Sequence, residues 1–324
     1  MKQSIRSAAD TVLGVWGDFQ ASRYDIRKTI VIACTGRGGS TWLAEIIATL
    51  PGYHMLWEPL HLGNNPECTK YGFGWQNYIP RGTTAPVKRD YIEKILTGEK
   101  LSTQITTSLH FHPLRLLRLR GYVAKFVNAN MMLGWMLEEF PVRGILMIRH
   151  PCAVVSSQLM HGGWDHVTKE NCTIPEGLFV DYPHLADVFD DIHEKEEVLA
   201  FGWALQTYVP LRQSEPHPWL LTTYERLVER GEHEVERIFH YLDESPPRRA
   251  REKLRERSAT ASRTFSTDRR KNLSKWRKRL TKKQVDNILR VTHEVGVEAY
   301  TVDLVPDYSS LPLGRDVFED TKTD

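Results

Sequence analysis

Arg37, Ser40 and Thr41 stand in the run Thr35-Gly36-Arg37-Gly38-Gly39-Ser40-Thr41-Trp42, where one cation and two hydroxyls are interleaved with glycines. Small residues at this spacing let successive backbone N–H groups converge on an oxyanion, and a helix opening there adds partial positive charge. The chemistry on offer is the holding of a phosphate or a sulfonate. The pattern G-x-x-x-x-G-K-[ST] occurs nowhere in the chain, and G-x-G-G lacks the third glycine of a dinucleotide fingerprint. A second cationic feature is regional. Residues 248–283 carry 16 Lys and Arg against three Asp and Glu, a local +13 that leaves −11 for the rest of a chain of net charge +2. A segment so charged is expected to meet anions.

Those residues need elements to position them. Five β-rich runs, 28–34, 53–57, 121–127, 143–149 and 218–223, alternate with helical patterns, which predicts an α/β fold with a central parallel sheet. The first run leads through the glycine turn into a helix starting near Ser40, with Trp42, Leu43, Ile46, Ile47 and Leu50 on one face. The fourth passes through Pro151, suited to a first helical turn, into CAVVSSQLM. The fifth enters a helix carrying Tyr224, Leu227, Val228, Val235, Ile238, Phe239 and Leu242, with Thr222 and Glu225 as its expected capping box. Residues 63–88 read as a long surface loop, and 186–212 as a helix whose Asp187, Asp190, Asp191, Glu194, Glu196 and Glu197 form a solvated face. The expected organisation is an extension at 1–27, one domain at 28–300 and a tail at 301–324.

Hydrophobic content of 41% and charged content of 26% across 324 residues exclude a disordered or collagen-like chain. No apolar run reaches bilayer length, and Asp10 and Asp18 interrupt the stretch that a secretory signal needs after Lys2 and Arg6. A cytoplasmic protein is expected, with a trimmed Golgi lumenal domain as the alternative. The four cysteines form no C-x-x-C pair, so reduced thiols are expected and no zinc site.

The run GRGGSTWL resembles the 5′-phosphosulfate loop of sulfotransferases that use 3′-phosphoadenosine 5′-phosphosulfate (PAPS). By that resemblance Arg37 is the basic residue that contacts the sulfonate and bridging oxygen, and Gly38, Gly39, Ser40, Thr41 and Trp42 complete the loop. LMIRHPCAVVSSQL is similar to the family's 3′-phosphate motif, an Arg at a strand end and a Ser eight residues on, here Arg149 and Ser157. A forked guanidinium and a helical hydroxyl suit a dianion. LLTTYERLVE resembles the segment in which a Tyr, here Tyr224, lies near the nucleotide. The run from Ser266 to Trp276, with Arg269, Arg270 and Lys271, resembles the basic loop that closes over it. The resemblance covers residues 28–290 and implies a P-loop-like three-layer fold, PAPS as co-substrate, no metal and a hydroxyl-bearing acceptor.

Sulfonate transfer requires a base for the attacking hydroxyl and cations for the charge that develops. The phenol and steroid branch of the family uses a K-T-H run where this chain has Lys125-Phe126-Val127, so Lys125 corresponds and the histidine does not. Glu58, closing the second β run in HMLWEPLH, would face the crevice at the carboxyl ends of the strands. A similar Glu serves as base in carbohydrate sulfotransferases, including bacterial trehalose-type enzymes, the branch this chain resembles more. A strand-end acid paired with Arg37 is the other reading of Glu58. His61 is the reserve base, with His110 and His112 behind it. Trp57, Trp75, Tyr78 and Trp164 are available to stack on a sugar or to fill the core. The expected activity is transfer of a sulfonate from PAPS to a carbohydrate or other polar alcohol. The alternatives are a nucleotide kinase or NTPase, which should carry a Walker lysine, and a non-enzymatic binder of nucleic acid or another anionic polymer through 248–283.

Overall fold

Runs of Val, Ile, Leu and Met with no polar face are stable as strands only where helices cover both sides of their sheet. The computed structural model describes residues 2–106, 118–260 and 268–313 and has that arrangement. Strands β1 (Ile30–Cys34), β2 (Tyr53–Trp57), β3 (Gly121–Phe126), β4 (Arg143–Ile148) and β5 (Trp219–Thr223) form one parallel sheet in the order β2-β3-β1-β4-β5. Each falls within two residues of its expected limits. Val31 and Ala33 of β1 join a core made with helices Pro86–Leu96, Leu133–Glu139, Pro151–Leu159, Lys195–Leu211 and Lys282–Val295. Ile30, Ile32 and Cys34 join a second core made with helices Ser40–Ile47, Tyr224–Arg230, Glu232–Tyr241 and Arg248–Arg255. The three layers of an α/β fold result.

The chain runs from β1 to β2 on one side and later places β4 on the other. The carboxyl ends of β1, β3 and β4 therefore border a crevice, and the glycine run, Glu58, Lys125 and Arg149 all lie at that edge.

Several helical details depart from expectation. The region 186–212 is two helices, His184–Asp191 and Lys195–Leu211. Asp187, Asp190 and Asp191 are solvated, but Glu196 and Glu197 are buried. Glu197 closes a capping box with Glu194 and pairs with Arg290 at 2.8 Å, which offsets its burial. The helix expected after β5 breaks at Gly231, where φ is +51°, into Tyr224–Arg230 and Glu232–Tyr241. Its cap is Thr223, whose Oγ1 accepts from Arg226 N at 2.9 Å. Thr222 instead donates to the buried Glu234 at 2.6 Å, and Glu225 turns toward β4. The stretch 63–88 is anchored rather than superficial: Cys68, Phe73, Asn77 and Ile79 are buried, and a helix begins at Pro86.

The ends of the described chain also pack on the body. Helix Lys2–Ala21 buries Leu13, and its Gln20 Nε2 donates to Thr97 O at 2.6 Å. Leu311 and Leu313 are buried, and Arg237 Nη1 donates to Leu313 O at 2.9 Å. Among the described residues no helix is long and apolar enough to cross a membrane. All four cysteines are free.

Candidate active site

A cleft of about 890 Å³ opens where the strands end. Its wall takes Thr35 to Arg37 and Gly39 to Trp42 after β1, Glu58 after β2, Lys125 from β3, Arg149 and Ser157 after β4, and Tyr224 after β5. Arg37, Gly39 to Trp42, Glu58, Lys125, Arg149, Ser157, Tyr224 and Arg269 therefore line one cleft.

The glycine turn is shaped by what surrounds it. Gly38 N donates to Thr35 O at 2.8 Å, and a Cβ on Gly38 would collide with the buried Cys34 Sγ, so Gly38 backs the loop without lining the cleft. Gly39 has φ of +102°, and a Cβ there would lie 2.6 Å from Tyr224 Cδ2. Arg37 and Glu58 are two of the three described non-glycine residues with positive φ, at +74° and +43°. Such conformations persist only where surrounding contacts over-determine them, and they gather at functional sites.

Several cations line this cleft, among them Arg37, Arg149, Arg269 and Lys125. Arg37 Nε donates to Ser157 Oγ at 3.0 Å, and Arg149 Nη1 donates to Arg37 O at 3.2 Å. Among the described residues neither guanidinium forms an ion pair with a carboxylate, and Arg149 Nε is buried without a partner. The Arg149 guanidinium lies 4.1 Å from the Tyr224 ring centroid, Tyr224 lies 5.6 Å from Trp42, and the Arg269 guanidinium covers Trp42 at 3.6 Å. Cations and π faces alternate along this column. Burial draws Arg37 below the ordinary arginine range, the neighbouring Arg149 adds to the effect, and Glu58 opposes it.

The last of these is Lys125, 1% exposed, with Nζ 4.0 Å from the Trp57 ring centroid and ion-paired to Glu58 Oε1. Burial pulls its amine downward while Glu58 supports the charge. The partner of Glu58 is thus Lys125, not Arg37. Glu58 Oε2 has no hydrogen bond among the described residues, and Glu58 N is held by Lys125 O at 2.8 Å.

His61 lies one turn after Glu58, its backbone N–H donating to Glu58 O at 2.9 Å, and its ring meets Trp75 edge-on at 4.9 Å. Trp57, Trp75 and Trp164 line the cleft; Tyr78 does not, and bonds Asp181 at 2.5 Å. His110, His112, Ser266 and Thr267 lie outside the described residues.

Arg270 and Lys271 are exposed and do not line the cleft. The short helix Arg270–Leu273 explains this: residues three apart share a face, so Arg269 and Asn272 line the cleft while the two positions between them turn outward. The charge of 248–283 is also less available than its count suggests. Arg249 and Lys253 pair with Glu256, Arg248 with Glu252, and Arg251 with Glu232 and Glu236 of the adjoining helix.

Several residues in or behind the wall were given no part in the site by the sequence reading. Trp276 stacks on His150 at 4.8 Å, and Gln158 Nε2 donates to Gly36 O at 3.1 Å. Glu225 sits behind Arg149 and accepts from His150 N at 3.0 Å. Burial pushes its carboxyl up to about 7, and burial holds the His150 imidazole down at about 4. His150, Gln158 and Glu225 directly follow Arg149, Ser157 and Tyr224, and that adjacency was the available signal for them. Among the described residues no cluster of three or more His, Cys, Asp or Glu side chains is arranged to hold a metal ion.

No family model and no curated protein matches the chain. Among solved structures it is similar to the sulfotransferase domain from the curacin biosynthetic pathway, at 16% identity over 82% of this chain and 96% of that one, with a TM-score of 0.45. The sulfotransferase domain of the Synechococcus PCC 7002 olefin synthase is 17% identical over 85% of this chain and 95% of that one, with a TM-score of 0.45. Mouse sulfotransferase SULT7A1, complexed with PAP, is 14% identical over 85% and 86%, with a TM-score of 0.43. The likeness is distant and carries no residue role or substrate over to this chain.

Proposed function

We propose that this protein is a sulfotransferase that moves a sulfonate group from PAPS to a hydroxyl of a carbohydrate or other polar alcohol. One observation supports this best: Arg37 and Arg149 stand together without a carboxylate partner among the described residues, and the buried Arg149 Nε has no acceptor. Buried donors left unpaired are costly, and an anionic ligand removes the cost. Two anionic groups on one nucleotide match two βα turns that meet through Ser157.

In this reading Arg37 and the residues from Gly38 to Trp42 hold the phosphosulfate side, Arg149 and Ser157 the 3′-phosphate, and Tyr224 and Arg269 flank the nucleoside. Arg270 and Lys271 contribute charge from outside the cleft. Glu58, through Oε2, takes the proton of the acceptor hydroxyl as its oxygen bonds to sulfur and the bond from sulfur to the 5′-phosphate oxygen breaks. Arg37 and Lys125 stabilise the charge on the sulfonate and the departing oxygen.

A kinase or NTPase reading lacks the Walker lysine, and a polymer-binding reading of 248–283 is weakened by the ion pairs that occupy helix Arg248–Arg255. Thermal melting tests the choice. 3′-Phosphoadenosine 5′-phosphate (PAP) at about a hundred times its dissociation constant should stabilise the protein by about 2.7 kcal/mol, and ATP with Mg²⁺ should do little. Stabilisation by ATP-Mg²⁺ and none by PAP would overturn the proposal.

A further inference from the structure

We infer that Gln206 and Gln76 form a subsite that reads a second hydroxyl of the acceptor, so that the acceptor is a polyhydroxylated ring rather than a monohydric alcohol; this rests on the sulfotransferase reading above. Gln206 lies on helix Lys195–Leu211, is 7% exposed and lines the cleft. Its Nε2 donates to Gln76 Oε1 at 3.2 Å, and its own Oε1 is buried with no donor. Leucine or methionine at this position would avoid the penalty of burying an unpaired amide oxygen.

The missing partner has a definite chemistry. With the amides as placed, the ligand must donate to Gln206 Oε1. With both amides turned over, it must accept from Gln206 Nε2. A hydroxyl does either, whereas an ammonium or a carbonyl does only one.

Position ties the pair to the proposed reaction. Gln76 follows Trp75, which packs on the His61 ring, and His61 stands one backbone turn after Glu58, its main-chain N–H on Glu58 O. Gln206 shares a helix face with Trp203, whose Nε1 donates to Arg149 O at 3.0 Å. The amide pair therefore spans from the wall of the base to the wall of the nucleotide. Asn128, another amide in this wall, already gives its Nδ2 hydrogens to Leu60 O and Gly74 O, at 3.1 and 3.3 Å. Trp75 is 45% exposed at the same wall and offers a flat face to ring C–H groups.

The test is transfer of labelled sulfonate from PAPS to trehalose, glucose and myo-inositol against cyclohexanol, in wild type, Gln206→Leu and Gln76→Leu, with PAP affinity measured by calorimetry. In wild type at least one polyol should exceed cyclohexanol in kcat/KM. Each variant should lower that ratio on the order of 10- to 100-fold, mostly through KM, with PAP affinity and melting temperature retained. Equal use of cyclohexanol, an unchanged ratio in folded variants, or PAP binding with no polyol accepted would each overturn the subsite. Failure of wild type to bind PAP would instead overturn the sulfotransferase reading on which it stands.

Discussion

Arg37 Nε donates to Ser157 Oγ across 3.0 Å, joining side chains that are 120 positions apart in the chain. One follows β1 and the other sits in the helix after β4, and these strands are direct neighbours in the sheet. Two anion-binding features that look separate in the sequence are therefore one continuous surface, with Arg149 bonded to the backbone of Arg37 as its second link.

Arg149→Ala should weaken PAP binding by about 10- to 100-fold, the range for hydrogen bonds from a charged donor. The fold should survive, because Trp203 grips the Arg149 carbonyl and not its side chain. Calorimetry with PAP measures the change, and an unaltered affinity would remove Arg149 from the site.

Glu58→Gln should lower kcat by about 10² to 10⁴ while PAP affinity stays nearly constant. The same substitution leaves the buried Lys125 without its ion-pair partner, and breaking a buried pair costs about 3–5 kcal/mol. Since burial already pulls the Lys125 amine downward, this loss should shrink as pH rises and the amine releases its proton. Steady-state kinetics and melting from pH 7 to 10 separate the two effects. Normal turnover would move the role of base to His61 or another group.

Gly39→Ala should destabilise the protein and abolish PAP stabilisation. The backbone there is left-handed, and the new Cβ would press on Tyr224, which itself supports Arg149. Melting with and without PAP reports both losses. Retained PAP binding in a folded variant would show that the turn tolerates opening.

Glu225→Gln should change the pH dependence of stability in a stated direction. The folded protein holds the Glu225 carboxyl at about 7, above its ordinary 4.5, so this contribution is present below pH 4.5 and is lost as pH rises toward 7. His150 acts oppositely: held at about 4, below its ordinary 6.5, it contributes above pH 6.5 and loses that as pH falls toward 4. The wild-type terms partly cancel between pH 4.5 and 6.5. The variant keeps only the histidine term and should gain stability more steeply with pH over that window. Melting temperatures at pH 4.5, 5.5 and 6.5 check this, and parallel curves would refute it.

The five strands, the glycine turn and the helix that opens at Ser40 were legible in the sequence because each follows from short-range chemistry. Buried β runs have a two-residue geometry, and glycines at 38 and 39 permit a tight turn, left-handed at Gly39, that residues with side chains would resist. The spacing from Arg149 to Ser157 was readable for the same reason, as one strand end and the next helix. Strand order was not. Only the placing of β1 between β3 and β4 brings Arg37 to Ser157, and only the pairing of β2 with β3 sets Glu58 on Lys125. The burial of Glu197 against Arg290 and the facing of Gln206 toward Gln76 also depended on partners distant in the chain, whereas the caps at Thr223 and Glu194 are local, made with Arg226 N and Glu197. Periodicity reports which side of an element is apolar. It carries no record of what that side will meet, since that is settled by how the layers stack.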